Sequence, residues 1–575
     1  MQHHPPTAFF LARAVAVTIF VALLGGCSQV PPEQDADVIV VGAGIAGLSA
    51  ALEASARGTR VLVLEANSVG GGHAVKAGGF ALVGTALQRE KGIEDSPDIA
   101  IRDFYRRGKS PDPWWTREYV EKSATEIYDW LTGMGVEFKM VLPTPDSSVP
   151  RFHFTRGTAV NAVVPMMRKA LQDPNIRFVW NTRVTALARA RGQITGVFTV
   201  NERDGSKRQW RAASTVLATG GFQSNLQMVR DNWPQDVDRP KRIFAGAGRF
   251  ANGDGYRLAK WAGADMLNLE RQVTFYGGVP DPDDASGTRG LYVENPAAIW
   301  LGANGRRFVN ETADAATRAA AVEALQPMSY WMIFDEPGSR RLNVRDALQG
   351  EAKKVRSDIL NDPVNAASAD SLAELARQTG LPEHALRTSI EAWNRMVEVG
   401  DDFQFGRFGP DKPAKKIQVP PYYALRVYPL TRKNMGGPAI DIHGQLVTAK
   451  GTKIPGLYAA GELTGVAGIN GLEGGAGTFL GPSVLTGRIA GGSAAEHSKA
   501  TMQPLRFWKT GAPATAEAAV PDFGQPGYWH YDVVHQYVSA QAFTCDRCHG
   551  NEKSRQTAVT SGDMLARLTT CTGCH

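Results

Sequence analysis

Residues 37–65 constrain this chain more than any other stretch. Asp37-Val38-Ile39-Val40-Val41 is a short apolar run that ends in Gly42-Ala43-Gly44-Ile45-Ala46-Gly47. A helical pattern follows over residues 48–57, and a second apolar run, Val61-Leu62-Val63-Leu64, ends on Glu65. The order is strand, Gly-x-Gly-x-x-Gly, helix, strand, acid. Glycines at Gly42, Gly44 and Gly47 permit a tight turn and bring a pyrophosphate close to the helix N-terminus, while Glu65 suits ribose hydroxyls. The unit predicts a Rossmann-like α/β domain that binds a dinucleotide. By itself it does not choose between FAD and NAD.

Four further stretches repeat this punctuation. Gly70-Gly71-Gly72-His73-Ala74-Val75-Lys76-Ala77-Gly78-Gly79-Phe80 is a second glycine-dense loop. Thr215-Val216-Leu217-Ala218-Thr219-Gly220-Gly221-Phe222 is an apolar strand running into glycines. Ile454-Pro455-Gly456-Leu457-Tyr458-Ala459-Ala460-Gly461-Glu462 repeats that design, and Gly474 to Pro482 leads through Ser483 into a helix over 484–497. The N-terminus of that helix, at Ser483 and Val484, can face an anion or a flavin ring. Between these stretches, residues 98–135 read as helices packed through Trp114, Trp115 and Trp130, and residues 175–200 read as strands.

The C-terminus carries different chemistry. Cys545-Asp546-Arg547-Cys548-His549 and Cys571-Thr572-Gly573-Cys574-His575 are two Cys-x-x-Cys-His motifs, the signature of covalent c-type haem attachment. Zinc ribbons and paired disulfides also use Cys-x-x-Cys pairs, but neither needs a histidine after each pair. On the haem reading, Cys545, Cys548, Cys571 and Cys574 hold two haems and His549 and His575 ligate the irons. His530 and His535 supply the distal ligands, with Met564 as the rival. The segment 528–575 is too short to bury a core without haem. It is expected to be mainly α, joined by a Pro- and Ala-rich linker over 500–527.

Four of the five cysteines lie in these motifs and the fifth is Cys27, so residues 28–544 offer no disulfide and no thiol nucleophile. Haem attachment of this type implies export. Arg13 precedes the apolar run of residues 14–24, which is shorter than the ~20 residues of a spanning helix and fits a signal segment. Leu24-Gly25-Gly26-Cys27 resembles a bacterial lipobox. Its implications are a signal peptide over 1–26, a lipid anchor at Cys27, a tether over 27–36 and a periplasm-facing, outer-membrane location. A formal net charge of +6 over 575 residues, with no long Lys/Arg block, argues against nucleic acid as a partner.

Together the loops resemble the flavoprotein subunits of fumarate reductases and succinate dehydrogenases, above all the flavocytochrome c fumarate reductases. Urocanate reductases and 3-ketosteroid dehydrogenases are relatives. The markers, besides those above, are Asn252-Gly253-Asp254-Gly255, Gly305-Arg306-Arg307-Phe308-Val309-Asn310-Glu311, Tyr422-Tyr423-Ala424 and Met435-Gly436-Gly437. The resemblance implies FAD, bound by Gly42, Gly44, Gly47, Glu65, Gly71, Gly72, Gly78, Gly79, Gly220, Gly461, Glu462, Ser483 and Val484. It implies an α+β capping domain over 224–415, inserted between FAD-domain parts at 37–223 and 416–499. His73 stands where complex II flavoproteins bond a histidine to FAD, although its spacing to Gly78-Gly79 is about one residue short.

The resemblance breaks at the substrate. The family's proton-donor arginine falls on Glu294, with Arg289-Gly290 displaced nearby. Its His-His pair becomes Arg432-Lys433, and its second clamping arginine falls at Gly471 or Gly474. Arg289, Arg432 and Lys433 are therefore the expected catalytic cations, with Tyr276 and Glu473 as neighbours, and fumarate or succinate is disfavoured. The expected activity is interconversion of CH–CH and C=C beside a carbonyl or carboxyl, on a small organic acid or an enone or ketone. Electrons would pass through the haems to or from an external carrier protein or a quinone-linked cytochrome. The rival readings are a 3-ketosteroid-dehydrogenase-like desaturase coupled to haems, and an electron-transfer protein with a degenerate pocket.

Overall fold

The structure is a computed structural model, describing residues 34–155, 159–345, 352–408 and 414–501. Cys27, the two Cys-x-x-Cys-His motifs, His530 and His535 lie outside the described residues.

Val38–Val41 runs through the middle of a six-stranded sheet and is buried at every residue, as suits a parallel strand covered on both faces. It pairs in parallel with Val61–Leu64 on one side and Ser214–Leu217 on the other. The sheet continues to Ile176–Val179 at one edge. At the other it passes through Lys453–Ala459 to Gln445–Val447, the antiparallel pairing. Connections leave Val38–Val41 and Ser214–Leu217 in opposite directions, which opens a crevice at the carboxyl ends of these strands.

Two helices cover one face. Ile45–Ala56 follows the first glycine loop, and Leu480–Thr501 packs along it. Their backbones touch: a Cβ at Gly487 would stand 2.4 Å from the Ala46 carbonyl oxygen, and one at Gly491 2.2 Å from that of Ala50. The second helix begins at Leu480, earlier than its sequence pattern predicts, so its first turn reaches the crevice. The expected helical region forms Pro97–Gly108, Pro113–Lys122 and a π-helical stretch Ser123–Asp129. Trp115 is buried there, whereas Trp114 is 38% exposed and edge-on to it.

A second sheet is organised on Tyr422–Asn434, which pairs with Gln272–Pro280, Tyr330–Phe334, Ala366–Ala369 and Phe244–Ala245. The expected boundary at 415/416 groups that strand with the FAD domain; its hydrogen bonds join it to strands of the expected 224–415 insertion. The flavin-side sheet resumes only at Gln445–Val447. Local pattern marks where a strand is, while sheet membership depends on partners that are remote in sequence.

The Gly305–Glu311 motif builds a buried ion cluster against the strand Ile299–Leu301, where Glu311 Oε1 accepts Trp300 N–H at 3.1 Å. Arg307 donates to Glu311 (Nε to Oε1, 2.9 Å; Nη2 to Oε2, 2.8 Å) and to Asp402 (Nη2 to Oδ2, 3.0 Å), and its guanidinium lies over Trp393. Arg407 pairs with Glu311 at 3.1 Å. All four charged groups are buried, and this marker is structural. Among the described residues, no helix is long and apolar enough to cross a membrane.

Candidate active site

The three glycines of the first loop do different work. Gly42 has φ +103°, and a Cβ there would lie 2.5 Å from the Ala218 carbonyl oxygen. A Cβ at Gly47 would come within 1.9 Å of the Gly42 carbonyl oxygen, so Gly47 sets how closely helix and strand pack. Gly44 faces open space. The second loop folds onto the first, since Gly71 N–H donates to the Ala43 carbonyl at 2.8 Å. Gly79 pairs with Phe154 in a small sheet beside it.

These loops wall a cavity of about 310 Å³ that runs from Glu65, Asn67 and Arg183 to Phe275, Arg432, Lys433 and Phe479. Gly42, Gly44, Gly71, Gly72, His73, Gly78, Gly79, Gly220, Glu462 and Ser483 all line it. Gly47, Gly461 and Val484 stand one layer behind: Gly461 N–H donates to Thr486 Oγ1 at 3.0 Å and supports the wall. The lining fits FAD. Gly44 and Gly220 present bare backbone to the space, and Thr219, on the wall, holds its buried Oγ1 without a partner. The N-terminal turn of Leu480–Thr501 opens onto the cavity through Leu480 and Ser483; Ser483 N–H donates to the Phe479 carbonyl at 3.0 Å, and the N–H groups of the turn before it, at Leu480 and Gly481, precede the first intrahelical acceptor. At the far end Glu65 Oε2 accepts Ala43 N–H at 2.6 Å and Oε1 accepts Asn67 N–H at 2.8 Å. Each oxygen keeps a lone pair for a ribose hydroxyl. Burial raises the Glu65 carboxyl above its ordinary range against those hydrogen bonds.

The other end is cationic because of a register break. Val273 pairs with Lys433 but Thr274 pairs with Thr431, leaving Arg432 as an extra residue. Successive strand residues ordinarily point to opposite faces. This bulge turns both Arg432 and Lys433 toward the cavity. Arg432 is buried, with Nη1 donating to the Gly246 carbonyl at 2.9 Å and its guanidinium 5.3 Å from the Phe275 ring centroid. Lys433 Nζ lies 4.3 Å from the Phe479 centroid. Burial, reinforced by Arg432 and opposed by Glu462, lowers the Lys433 ammonium to about 8.

Glu462 faces this pair. Its Oε1 accepts Asn434 N–H at 3.0 Å. Burial raises its carboxyl to about 7, against the Asn434 hydrogen bond and the charges of Lys433 and Arg432. His73 is kept neutral by burial and by the surrounding Arg432, Lys433, Lys76 and Arg289, which hold its pKa well below the ordinary value. Behind Phe479, Gly465, Val466 and Ala467 are consecutively left-handed, at φ +59°, +47° and +57°. For the β-branched Val466 this is strained backbone.

The other expected residues are elsewhere. Arg289 is not part of the lining; its Nη2 donates to the Ala247 carbonyl at 2.8 Å, from behind the Gly246–Gly248 segment. Tyr276 donates to Glu323, Glu294 pairs with Arg345 at 2.8 Å, and Glu473 pairs with Lys109 at 3.1 Å. Sequence reasoning missed Phe275 and Phe479 as the aromatic faces of the cationic end, and Asn434, whose side-chain oxygen accepts Phe222 N–H at 2.8 Å. The Met435-Gly436-Gly437 motif carried the signal for this junction. A Cβ at Gly437 would stand 1.8 Å from the Leu463 carbonyl oxygen, so the glycine holds Lys433 beside Glu462.

The sequence profile of the FAD binding domain family matches residues 37–480. The chain is 32% identical to a fumarate reductase (cytochrome) of Shewanella frigidimarina, over 81% of this chain and 78% of the relative. It is 29% identical to a KsdD-like steroid dehydrogenase of Mycobacterium tuberculosis, over 80% and 96%. Among solved structures, the open conformation of a flavocytochrome c3 fumarate reductase superposes with a TM-score of 0.67 at 27% identity, covering 84% of this chain and 81% of that one. The 3-ketosteroid-Δ4-(5α)-dehydrogenase of Rhodococcus jostii RHA1 gives 0.60 at 26%, covering 82% and 99%. The chain belongs to the FAD binding domain family, as an FAD-dependent oxidoreductase of the fumarate reductase and ketosteroid dehydrogenase kind.

Proposed function

We propose that this oxidoreductase interconverts CH–CH and C=C beside a carboxyl or carbonyl group, and exchanges the electrons through two covalently bound c-type haems. The observation that carries the substrate side is the bulge that turns Arg432 and Lys433 together into the cavity opposite Glu462. FAD bound along the glycine loops supplies hydride acceptance or donation. Lys433, with its ammonium lowered to about 8, delivers or removes the accompanying proton at Nζ. Arg432, anchored on the Gly246 carbonyl, adds its positive charge beside the carboxylate or enolate oxygen without being its hydrogen-bond partner. Glu462, raised to about 7, exchanges a proton with Lys433 near neutral pH. Arg289 acts from behind, through the Ala247 carbonyl and the positive field around His73.

The haem assignment rests on sequence: Cys545 and Cys548 bind one haem and Cys571 and Cys574 the other, with His549, His575, His530 and His535 as iron ligands. The fumarate reductase (cytochrome) relative supports it. The partner is an external electron-carrier protein or quinone-linked cytochrome. The protein is anchored by lipid at Cys27 and faces the periplasm. Two haems per flavin in a pyridine haemochrome assay, and loss of bis-histidine spectra in H530A and H535A, are the expected results.

A second reading, a ketosteroid-dehydrogenase-like desaturase coupled to haems, draws on the aromatic walls Phe152, Phe275 and Phe479. Stopped-flow mixing separates the two. Saturated acids and ketones should reduce the haems, or their unsaturated partners should oxidise prereduced enzyme. If no compound moves either cofactor, the proposal falls and an electron-transfer protein with a degenerate pocket takes its place.

A further inference from the structure

Resting on that reading of the site, we infer that the substrate presents one carboxylate to Lys433 and carries a flat conjugated or aromatic body lying along Phe275 and Phe479. The charge arrangement selects one carboxylate. Arg183, Lys76, Arg249, Arg432 and Lys433 line the cavity. Arg183 is held by Glu202 and Asp254, Arg432 by the Gly246 carbonyl, and Lys76 and Arg249 also have interactions within the protein. Among the described residues, Lys433 is the lining cation whose contact is an aromatic face in place of a hydrogen-bond acceptor. An ammonium carries three N–H donors, and burial beside a ring leaves them for a ligand. A dicarboxylate needs a second uncommitted cation at this end, where the other charged groups are Arg432, which donates to the Gly246 carbonyl, and the carboxylate Glu462.

The walls select the body. The Phe479 ring is seated by Gly474, where a Cβ would lie 2.8 Å from Phe479 Cε2, and by Met435 and Val466. The left-handed turn at Gly465–Ala467 holds Val466 in that cluster. Across the cation pair, Phe275 is supported by Tyr292 at a centroid distance of 4.9 Å. Arg432 over Phe275 and Lys433 over Phe479 place one cation at each ring. The result is a site with aromatic faces and a single uncommitted positive charge.

The test is a titration of the oxidised holoenzyme, followed by the flavin visible spectrum, with four probes: trans-cinnamate, trans-cinnamamide, fumarate and acrylate. The expected result is a dissociation constant for trans-cinnamate at least tenfold lower than for each of the others. Fumarate binding as tightly overturns the single carboxylate, trans-cinnamamide as tightly overturns the Lys433 contact, and acrylate as tightly overturns the aromatic body. In K433Q, trans-cinnamate should weaken at least tenfold while trans-cinnamamide is unchanged, and K433R should restore most of the loss. An unchanged trans-cinnamate affinity in K433Q overturns the assignment, and the probe panel on the unaltered enzyme decides even if the variant does not fold. Binding of trans-cinnamate without turnover of any enoate sinks the proposed reaction and leaves this inference standing. Turnover of fumarate with no binding of trans-cinnamate does the reverse.

Discussion

Arg307 and Lys433 are both cations enclosed by the fold and both lie against aromatic rings, Trp393 and Phe479. Arg307 spends its donors on Glu311 and Asp402, and the cluster closes on itself with Arg407. Lys433 has Glu462 within electrostatic reach and otherwise faces the cavity. A buried charge without hydrogen bonds is costly, whereas a fully paired one is tolerated. The closed cluster therefore reads as architecture. The open one reads as a place where a ligand completes the pairing.

Substitution should separate the two clusters most sharply. K433Q is expected to lower turnover about 100-fold to 10,000-fold, the usual range for a lost acid–base group and equal to about 3–5.5 kcal/mol of barrier. Its unfolding free energy in urea should fall by no more than ~0.5 kcal/mol. R307M should do the opposite: a loss of about 3–5 kcal/mol of stability, because Glu311 and Asp402 stay buried with a partner removed. Its turnover per bound flavin at low temperature should be preserved. Equal effects of the two variants on stability would erase the distinction.

Proton linkage adds a test with opposite signs. Burial works to raise Asp402, but the hydrogen bonds and charge of Arg307 outweigh it and hold the carboxyl below its ordinary 3.8. Its contribution to stability is present above pH 3.8 and is lost as pH falls through the lower folded value. R307M should remove that acid-side loss in urea midpoints measured from pH 5 down to pH 2.5. Lys433 is lowered from 10.5 to about 8, so the unfolded chain binds the extra proton between those values. Stability should therefore rise with pH from about 8 to 10.5, and this rise should vanish in K433Q. Turnover that requires the Lys433 ammonium should decline above about pH 8, with the limb displaced upward in K433R. The smallest expected effect is that of R432K, which keeps the charge but loses the planar contact with Phe275. A rise in KM of roughly threefold to tenfold, with kcat nearly unchanged, is the expected outcome.

Much of the flavin side was legible. The strand at Val38–Val41, the helix at Ile45–Ala56 and the acid at Glu65 follow from local spacing, because turn, helix dipole and strand burial act within a few residues. The cavity joins Gly44, Gly71, Gly78, Gly220 and Glu462, all read from glycine-rich stretches. The substrate end was only half legible. Arg432 and Lys433 stood out by type, yet adjacent strand residues are expected on opposite faces, and only the bulge against Val273–Thr274 turns both inward. Arg289, singled out with them, belongs to the layer behind.

The sequence by itself determined the dinucleotide domain, since the Gly-x-Gly-x-x-Gly loop between a buried strand and a helix, followed by a second strand and Glu65, places its turn and its pyrophosphate site by local spacing. It also carried the whole of the haem reading, in Cys545, Cys548, Cys571 and Cys574 with their histidines. The tertiary structure decided which charges are spent and which are open. Arg307 and Lys433 are both cations in the sequence, and only partners remote in the chain, Asp402 for one and Glu462 for the other, distinguish a cation closed into a buried cluster from one that faces the cavity.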